Sequence, residues 1–138
     1  MQFYGESSPK EIGVHSSILI VDDNALIRKA VRLGFEERNE FLICGEAVDG
    51  NDAIQKARQL KPDLIILDFS MPVMNGLEAA AVLSREMPEV PLILFTIHTV
   101  VTASEARFAG ISAIVPKDQG SEALVSQALT LLGLPFEG

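Results

Sequence analysis

The sequence predicts a single three-layer α/β domain, a five-stranded parallel sheet with helices packed on both faces. Three observations predict it. A short apolar run followed by a longer polar segment recurs five times between residues 17 and 132. Four of the runs are nearly continuously apolar rather than alternating, as expected of strands covered on both faces. The intervening segments carry apolar residues at a 3.6-residue period. Such β–α alternation implies a parallel sheet joined by right-handed crossovers, and 138 residues suffice for one such domain with a full core.

Residues 1–16, MQFYGESSPKEIGVHS, mix Gly, Ser, Pro and charge without a period and read as an unstructured lead-in. The strand runs are Ile18–Val21, Phe41–Cys44, Leu64–Leu67, Leu92–Phe95 and Ile111–Val115. Between the first two, Leu26, Ile27, Ala30, Val31 and Phe35 share one helical stripe, with Arg28, Lys29, Arg32 and Glu36 turned away. Ala53, Ile54, Ala57 and Leu60 form the stripe of the second helix. Residues 76–87 are Ala-rich and favour the third helix, with Pro88 as its stop. The segment from Val100 to Phe108 is weakly patterned, which makes the fourth helix the least firmly held. Leu124, Val125, Ala128, Leu131 and Leu132 form the stripe of the fifth. Residues 133–138 read as a tail, either an added remnant or the start of a linker.

Composition narrows the function. A net charge of −8 with no Lys/Arg cluster argues against an intrinsic nucleic-acid surface, which needs concentrated positive charge. The lone cysteine, Cys44, sits between Ile43 and Gly45 and reads as a small core residue. No apolar run approaches the roughly 20 residues that span a bilayer, and residues 1–16 lack a signal-peptide core, so a cytoplasmic location is expected.

In an open parallel sheet, ligands bind beyond the carboxyl ends of the strands, where the strand order reverses. The first strand ends in Asp22-Asp23, the third in Asp68, the fourth in Thr96, and the fifth runs through Pro116 into Lys117. Each has an ordinary explanation alone: Asp23-Asn24 as a helix cap, Asp68 in an Asx turn, Thr96 and Lys117 as loop residues. Three converging carboxylates, however, repel and raise one another's pKa unless a cation lies among them. A hard divalent ion such as Mg²⁺ takes few carboxylates, a carbonyl oxygen and several waters, which this rim offers.

The stretches ILIVDDN, LIILDFSMPVMNG, PLILFT and Pro116-Lys117, in that order, resemble the receiver domain of two-component response regulators over residues 17–132. The surrounding text is similar to receivers that precede a helix-turn-helix output domain. The resemblance implies a doubly wound, flavodoxin-like fold with strand order 2-1-3-4-5 and five helices. It implies that Asp68 is the phosphoacceptor, that Asp23 and Asp68 bind Mg²⁺ directly and Asp22 through water, and that the Ser70 carbonyl is a further ligand. Lys117 would pair with the phosphoryl oxygens, and the Thr96 hydroxyl would bond to one of them once the group is in place. The partner implied is a sensor histidine kinase as phosphodonor, with a DNA-binding output domain in the parent chain and transcription as the regulated process. The face formed by helix four, strand five and helix five would be the output surface, and a homodimer through it stays open.

The chain departs from the family where receivers carry a Tyr or Phe three residues before the lysine. Here that position is Ile114, so switching with Thr96 must use aliphatic repacking or backbone movement. Lys117 is followed by Asp118, so the cis-proline constraint common there is absent. Ile97 is bulkier than the small residue frequent after the threonine, and His98 follows it. His98 taken alone reads as an exposed loop imidazole; the sharper reading is that Ser70, Ile97 and His98 flank the path of the hydrolytic water and set the lifetime of the phosphorylated state. His15 and the Met71-Pro72 and Met74 cluster carry no such role; the methionines read as loop packing.

Two other classes compete with a phosphoaccepting switch that is not itself a turnover enzyme. One is a receiver-like interaction module that is no longer phosphorylated. The other is a Mg²⁺-dependent phosphohydrolase, against which stands the lack of a cap segment for a substrate. Nucleotide binding fares poorly, since no glycine-rich phosphate loop follows the first strand.

Overall fold

The computed structural model describes residues 15–97 and 101–135. The elements are β1 (Ser16–Val21), α1 (Ala25–Glu36), β2 (Phe41–Ala47), α2 (Gly50–Leu60), β3 (Leu64–Leu67), α3 (Gly76–Glu86), β4 (Leu92–Thr96), α4 (Ala103–Phe108), β5 (Ala113–Pro116), a 3₁₀ turn (Lys117–Gln119) and α5 (Gly120–Leu132). All strand pairs are parallel, in the order β2-β1-β3-β4-β5. The expected fold class and strand order therefore hold, with the order reversing at β1–β3. Both β3 and β4 are buried along their whole length, which explains their unbroken aliphatic sequences.

The sheet separates two cores. One, against α2, α3 and α4, contains Leu19, Val21, Leu67, Leu94 and Ile111. The other, against α1 and α5, contains Ile18, Ile20, Phe35, Phe41 and Leu124. Phe35 and Phe41 meet edge to face at 4.9 Å between centroids and 86° between planes, the arrangement aromatic quadrupoles favour.

Helix ends are fixed locally. Asn24 caps α1 by accepting from the N–H groups of Leu26 and Ile27. Asp49 caps α2 by accepting from the Asp52 N–H. Reciprocal capping boxes, Asn75 with Glu78 and Thr102 with Glu105, start α3 and α4. The second gives the weakly patterned fourth segment a defined start, and buried Ala106 docks it.

Several sequence expectations need correction. In α1, Leu26 is 76% exposed and Ala30 is exposed; the buried stripe is Ile27, Val31 and Phe35, at i, i+4 and i+8. Leu60, in the last turn of α2, is exposed, and in α5 Leu129 is buried while Leu131 and Leu132 are half-buried. A helical period fixes which residues share a face, and docking decides how wide the buried stripe is. Ile111 precedes β5: its N–H bonds to the Ala106 carbonyl in the turn, and its side chain is buried there.

One irregularity bears on the site. Ile18 pairs with Ile43, but Leu19 pairs with Gly45, so Cys44 is an extra residue in β2. This bulge reverses the phase of the rest of the strand. Glu46 lies beside Ile20 on the α1 side, and Ala47 beside Val21 on the α2 side. The Cys44 thiol donates to the Ile18 carbonyl at 3.4 Å, and burial raises its pKa, in keeping with a core residue rather than a nucleophile.

At the amino-terminal rim of the sheet, the Ser17 N–H and hydroxyl both donate to Asp63 Oδ2, at 2.8 and 3.2 Å. The chain enters β1 at this rim, and α5, starting beyond the carboxyl end of β5, runs back toward it.

Candidate functional site

The carboxyl ends of β1, β3, β4 and β5 surround a cleft of about 510 Å³ lined by Asp22, Asp23, Asp68, Ser70, Thr96, Ile97 and Lys117. A separate hollow of about 450 Å³, near Arg58 and Glu86, lies away from these residues. Asp22, Asp68 and Thr96 are the polar residues buried among the described ones, at 3, 6 and 4% exposure. A polar side chain at such a position needs a hydrogen-bond or ionic partner to offset its desolvation.

Each is placed by where its aliphatic strand stops. Asp22 follows Val21 and keeps the sheet pairing for one more residue through its N–H to the Ala47 carbonyl, at 3.1 Å. Asp68 follows Leu67, and its N–H donates to the Val21 carbonyl at 2.9 Å, tying the two strand tips together. Thr96 pairs with Pro116 across β4–β5, which sets Lys117 next to it.

The acids and the lysine meet. Lys117 Nζ lies 2.8 Å from Asp22 Oδ2 and 3.2 Å from Asp68 Oδ1, and 6.0 Å from the centre of the Phe95 ring. Asp22 Oδ1 accepts from the Asn24 N–H at 2.9 Å, so both oxygens of Asp22 are engaged. One carboxylate oxygen each from Asp22, Asp23 and Asp68 falls within 4.8 Å of the others. Burial, then the Asp22 charge, pushes the Asp68 carboxyl above the usual carboxylate range, and Lys117 offsets this only in part. Burial opposes the Lys117 ammonium, but its bond to Asp22 and the charges of Asp22 and Asp68 outweigh that, so its pKa is raised.

Three carboxylates facing one ammonium leave an excess of negative charge in a desolvated cleft, and the raised Asp68 pKa records it. A divalent cation fits this donor set: hard oxygen ligands, one wall open to water at the exposed Asp23, and Asp22 already engaged elsewhere.

The loop after Asp68 is held in a tense shape. The Met74 N–H donates to the Pro72 carbonyl at 2.7 Å, closing a three-residue γ-turn with Val73 at φ 73°. Met71 and Met74 pack against the core as loop packing requires, and Gly76 follows so closely that a Cβ there would lie 2.9 Å from Phe69 Cα.

Ile114 is half-buried, paired with Leu94, and packs into the core on the α4 side. Ile97 is 68% exposed at the mouth of the cleft, and His98 lies outside the described residues. Sequence reasoning missed Arg28 and Glu46. Arg28, read as turned away from the core, is half-buried; its Nη1 donates to the Asp22 carbonyl at 2.7 Å and its Nε to Glu46 Oε1 at 2.8 Å. No spacing signals this contact, because it depends on the bulge at Cys44.

Comparison with known proteins gives a consistent neighbourhood. A family model described as response regulator receiver domain matches residues 18–129. A protein-glutamate methylesterase/protein-glutamine glutaminase of Methanosarcina mazei is 40% identical over 104 residues, covering 73% of this chain and 29% of the relative. The transcriptional regulatory protein LnrK of Bacillus subtilis is 30% identical over 115 residues, covering 83% of this chain and 52% of the relative. Among solved structures, a LuxR-family two-component response regulator from Aurantimonas sp. superposes with a TM-score of 0.81 at 28% identity, over 86% of each chain. The response regulator domain of Thermotoga maritima CheB gives 0.78 at 25% identity, over 88% of this chain and 99% of that one. The chain thus spans about a quarter to a half of the length of these curated relatives.

Proposed function

This chain belongs to the response regulator receiver domain family, and from that premise we propose that it is a phosphoryl-accepting signalling switch with Asp68 as acceptor. The observation that supports this most directly is the Lys117 ammonium bridging Asp22 and Asp68 beside a third carboxylate, Asp23.

In the proposed reaction an Asp68 oxygen attacks the phosphorus of a phosphohistidine, protonated on its other ring nitrogen, on a sensor kinase. The P–N electron pair returns to the departing nitrogen, and the imidazole leaves as the neutral ring. Asp23 and Asp68, with the Ser70 carbonyl and, through water, Asp22, would hold Mg²⁺; when bound, the ion neutralises charge on the phosphoryl oxygens. Lys117 is positioned to shift its second contact from the Asp68 carboxylate to the incoming phosphoryl oxygens. Hydrolysis reverses the state: water attacks phosphorus, Asp68 leaves as carboxylate, and inorganic phosphate is released. Ser70, Ile97 and His98 would control that water.

Aspartyl phosphate brings about −1.5 to −2 charges to one place. Thr96 and Lys117 are drawn to it, and Ile114, packed between Leu94 and the α4-side core, repacks with them. Moving a switch from about 1:99 to 99:1 takes around 5.5 kcal/mol, close to what two charge-assisted contacts of about 1.5–3 kcal/mol each supply. The α4–β5–α5 face, which carries the 96%-exposed Phe108, is the proposed output surface.

The same reading places the domain at residues 17–132, in the cytoplasm with its ATP-charged kinase donor, and makes transcription the regulated process. LnrK and YdfI, both named transcriptional regulatory proteins, support that output, whereas the methylesterase relatives support an esterase output. Among the described residues, no helix is long and apolar enough to cross a membrane.

Intact mass spectrometry after incubation with acetyl phosphate and Mg²⁺ tests the acceptor. One added phosphoryl group, lost in Asp68→Asn, is expected; an unmodified wild type, or equal labelling of the variant, would overturn it. A helix-turn-helix encoded beyond residue 138 would support transcription as the output, and an esterase domain there would support an esterase output instead.

A further inference from the structure

We propose that Arg28, held in place by Glu46, is the positioning residue of the cation site: it fixes the Asp22–Asp23 peptide so that both carboxylates face the ion. This rests on the Mg²⁺ reading above and concerns residues that touch neither metal nor phosphoryl group.

Arg28 spans two acceptors with one rigid fork. Its Nη1 reaches the Asp22 main-chain oxygen at 2.7 Å and its Nε reaches Glu46 Oε1 at 2.8 Å, with the side chain only 15% exposed. Glu46 is itself held, because Arg32 Nε occupies its other oxygen at 2.7 Å and Arg32 Nη1 continues to Glu36 Oε2 at 3.0 Å. Burial works against the Glu46 charge, but Arg32 and Arg28 outweigh it, so the carboxyl stays below its usual range. The bulge at Cys44 is what turns Glu46 toward α1.

The peptide group is planar, so pinning the Asp22 oxygen orients the Asp23 nitrogen and the start of its Cα. Asp23 is exposed and, among the described residues, no hydrogen bond or ion pair holds its carboxylate, so its direction comes from that backbone. The Asp22 N–H is pinned from the other side by the Ala47 carbonyl. The acidic pair therefore sits on a backbone fixed at both ends before any ion arrives, which lowers the reorganisation that binding requires.

The sign of the effect separates positioning from charge. Arg28 is a cation near a cation site, so electrostatics alone makes Mg²⁺ bind tighter once the guanidinium is removed. Positioning makes it bind weaker, typically by 10–100-fold when an outer partner of a metal ligand is lost.

The test is Mg²⁺ affinity by isothermal titration calorimetry on the whole protein, with Tm and circular dichroism recorded without metal. Arg28→Ala and Arg28→Lys are both expected to weaken binding about 10-fold or more, the lysine failing because a single ammonium lacks the planar fork whose Nε and Nη1 meet these two acceptors at once. Glu46→Gln, which keeps one oxygen acceptor, weakens it by a smaller factor. Arg32→Ala, which leaves the Asp22 contact in place, changes the Kd less than about threefold. Unchanged or tighter binding in folded Arg28→Ala overturns the proposal. Should Arg28→Ala not fold, wild-type affinity in Arg28→Lys and Glu46→Gln overturns it equally. A wild type that binds no Mg²⁺ removes the cation site and the clamp together, whereas normal wild-type binding with unaffected variants removes the clamp alone.

Discussion

Replacing Gly76 by alanine tests how tightly the strand that ends in Asp68 is coupled to the helix that follows. Gly76 opens α3 with an ordinary negative φ, so alanine costs nothing in backbone conformation. It even gains about 0.4–1 kcal/mol by restricting the unfolded chain. The obstacle is space. The new Cβ would stand 2.9 Å from Phe69 Cα and 3.0 Å from the Asp68 carbonyl carbon, and nearer still to the Asp68 carbonyl oxygen. Ordinary contact begins at 3.4 Å, so the overlap on Phe69 Cα alone is 3.4 minus 2.9, or 0.5 Å. All three atoms belong to the backbone, which cannot rotate away. Overpacking of this kind costs about 1–3 kcal/mol, and displacing the loop also strains the Gly76 N–H bond to the Phe69 carbonyl at 2.8 Å, a further ~1 kcal/mol. The net expectation is a loss of about 1–3 kcal/mol, read as a drop of roughly 1 M in the urea midpoint. Moving Asp68 by part of an ångström should also slow phosphorylation by acetyl phosphate up to about 100-fold. Gly34→Ala is the control: its Cβ would meet Ser121 Cβ at 2.5 Å, across α1 and α5, and neither residue lines the cleft. It should destabilise without slowing phosphorylation relative to its folded fraction. A Gly76→Ala protein of wild-type stability and rate would refute the reasoning, and lost stability with a normal rate would refute the coupling to Asp68.

Three further outcomes follow from the same coordinates. Asp68 has a pKa raised on folding, first by burial and then by Asp22; such a carboxyl favours the folded state below its unfolded pKa and loses that contribution as pH rises through the folded one. Metal-free Asp68→Asn should therefore have the higher Tm at neutral pH and converge with wild type in acid, and a less stable variant at neutral pH would contradict this. Mg²⁺ at a hundred times its Kd should stabilise wild type by about 2.7 kcal/mol, roughly 10 °C in Tm, with the gain abolished by EDTA or Asp23→Asn; an equal gain in the variant would place the ion elsewhere. Val73 holds a left-handed φ of 73° on an 80%-exposed side chain, so Val73→Asn should raise stability by about 1 kcal/mol in urea denaturation, and a loss would show that Val73 is not strained.

The strand tips were legible because an aliphatic run stops where its strand leaves the core. Asp22, Asp68, Thr96 and Lys117 could thus be assigned to one rim from sequence alone. The helix faces were less so: Leu26 and Ala30 match a helical period with Val31 yet face solvent, since a period does not state how wide the buried stripe is. Thr102 and Glu105 spell a capping signature that would have firmed up α4 had it been weighed against the missing apolar period. Glu46 was harder to read. Its side of the sheet depends on one extra residue at Cys44, and the one mark of that bulge in FLICGEA is the glycine inside the strand, Gly45.

Both ends of the described chain leave from the rim where Ser17 grips Asp63, while the acids crowd the other rim. The six residues of β1 separate the two by roughly 20 Å at about 3.3 Å per residue. A change at the acids therefore reaches either described end only along the flank of the molecule.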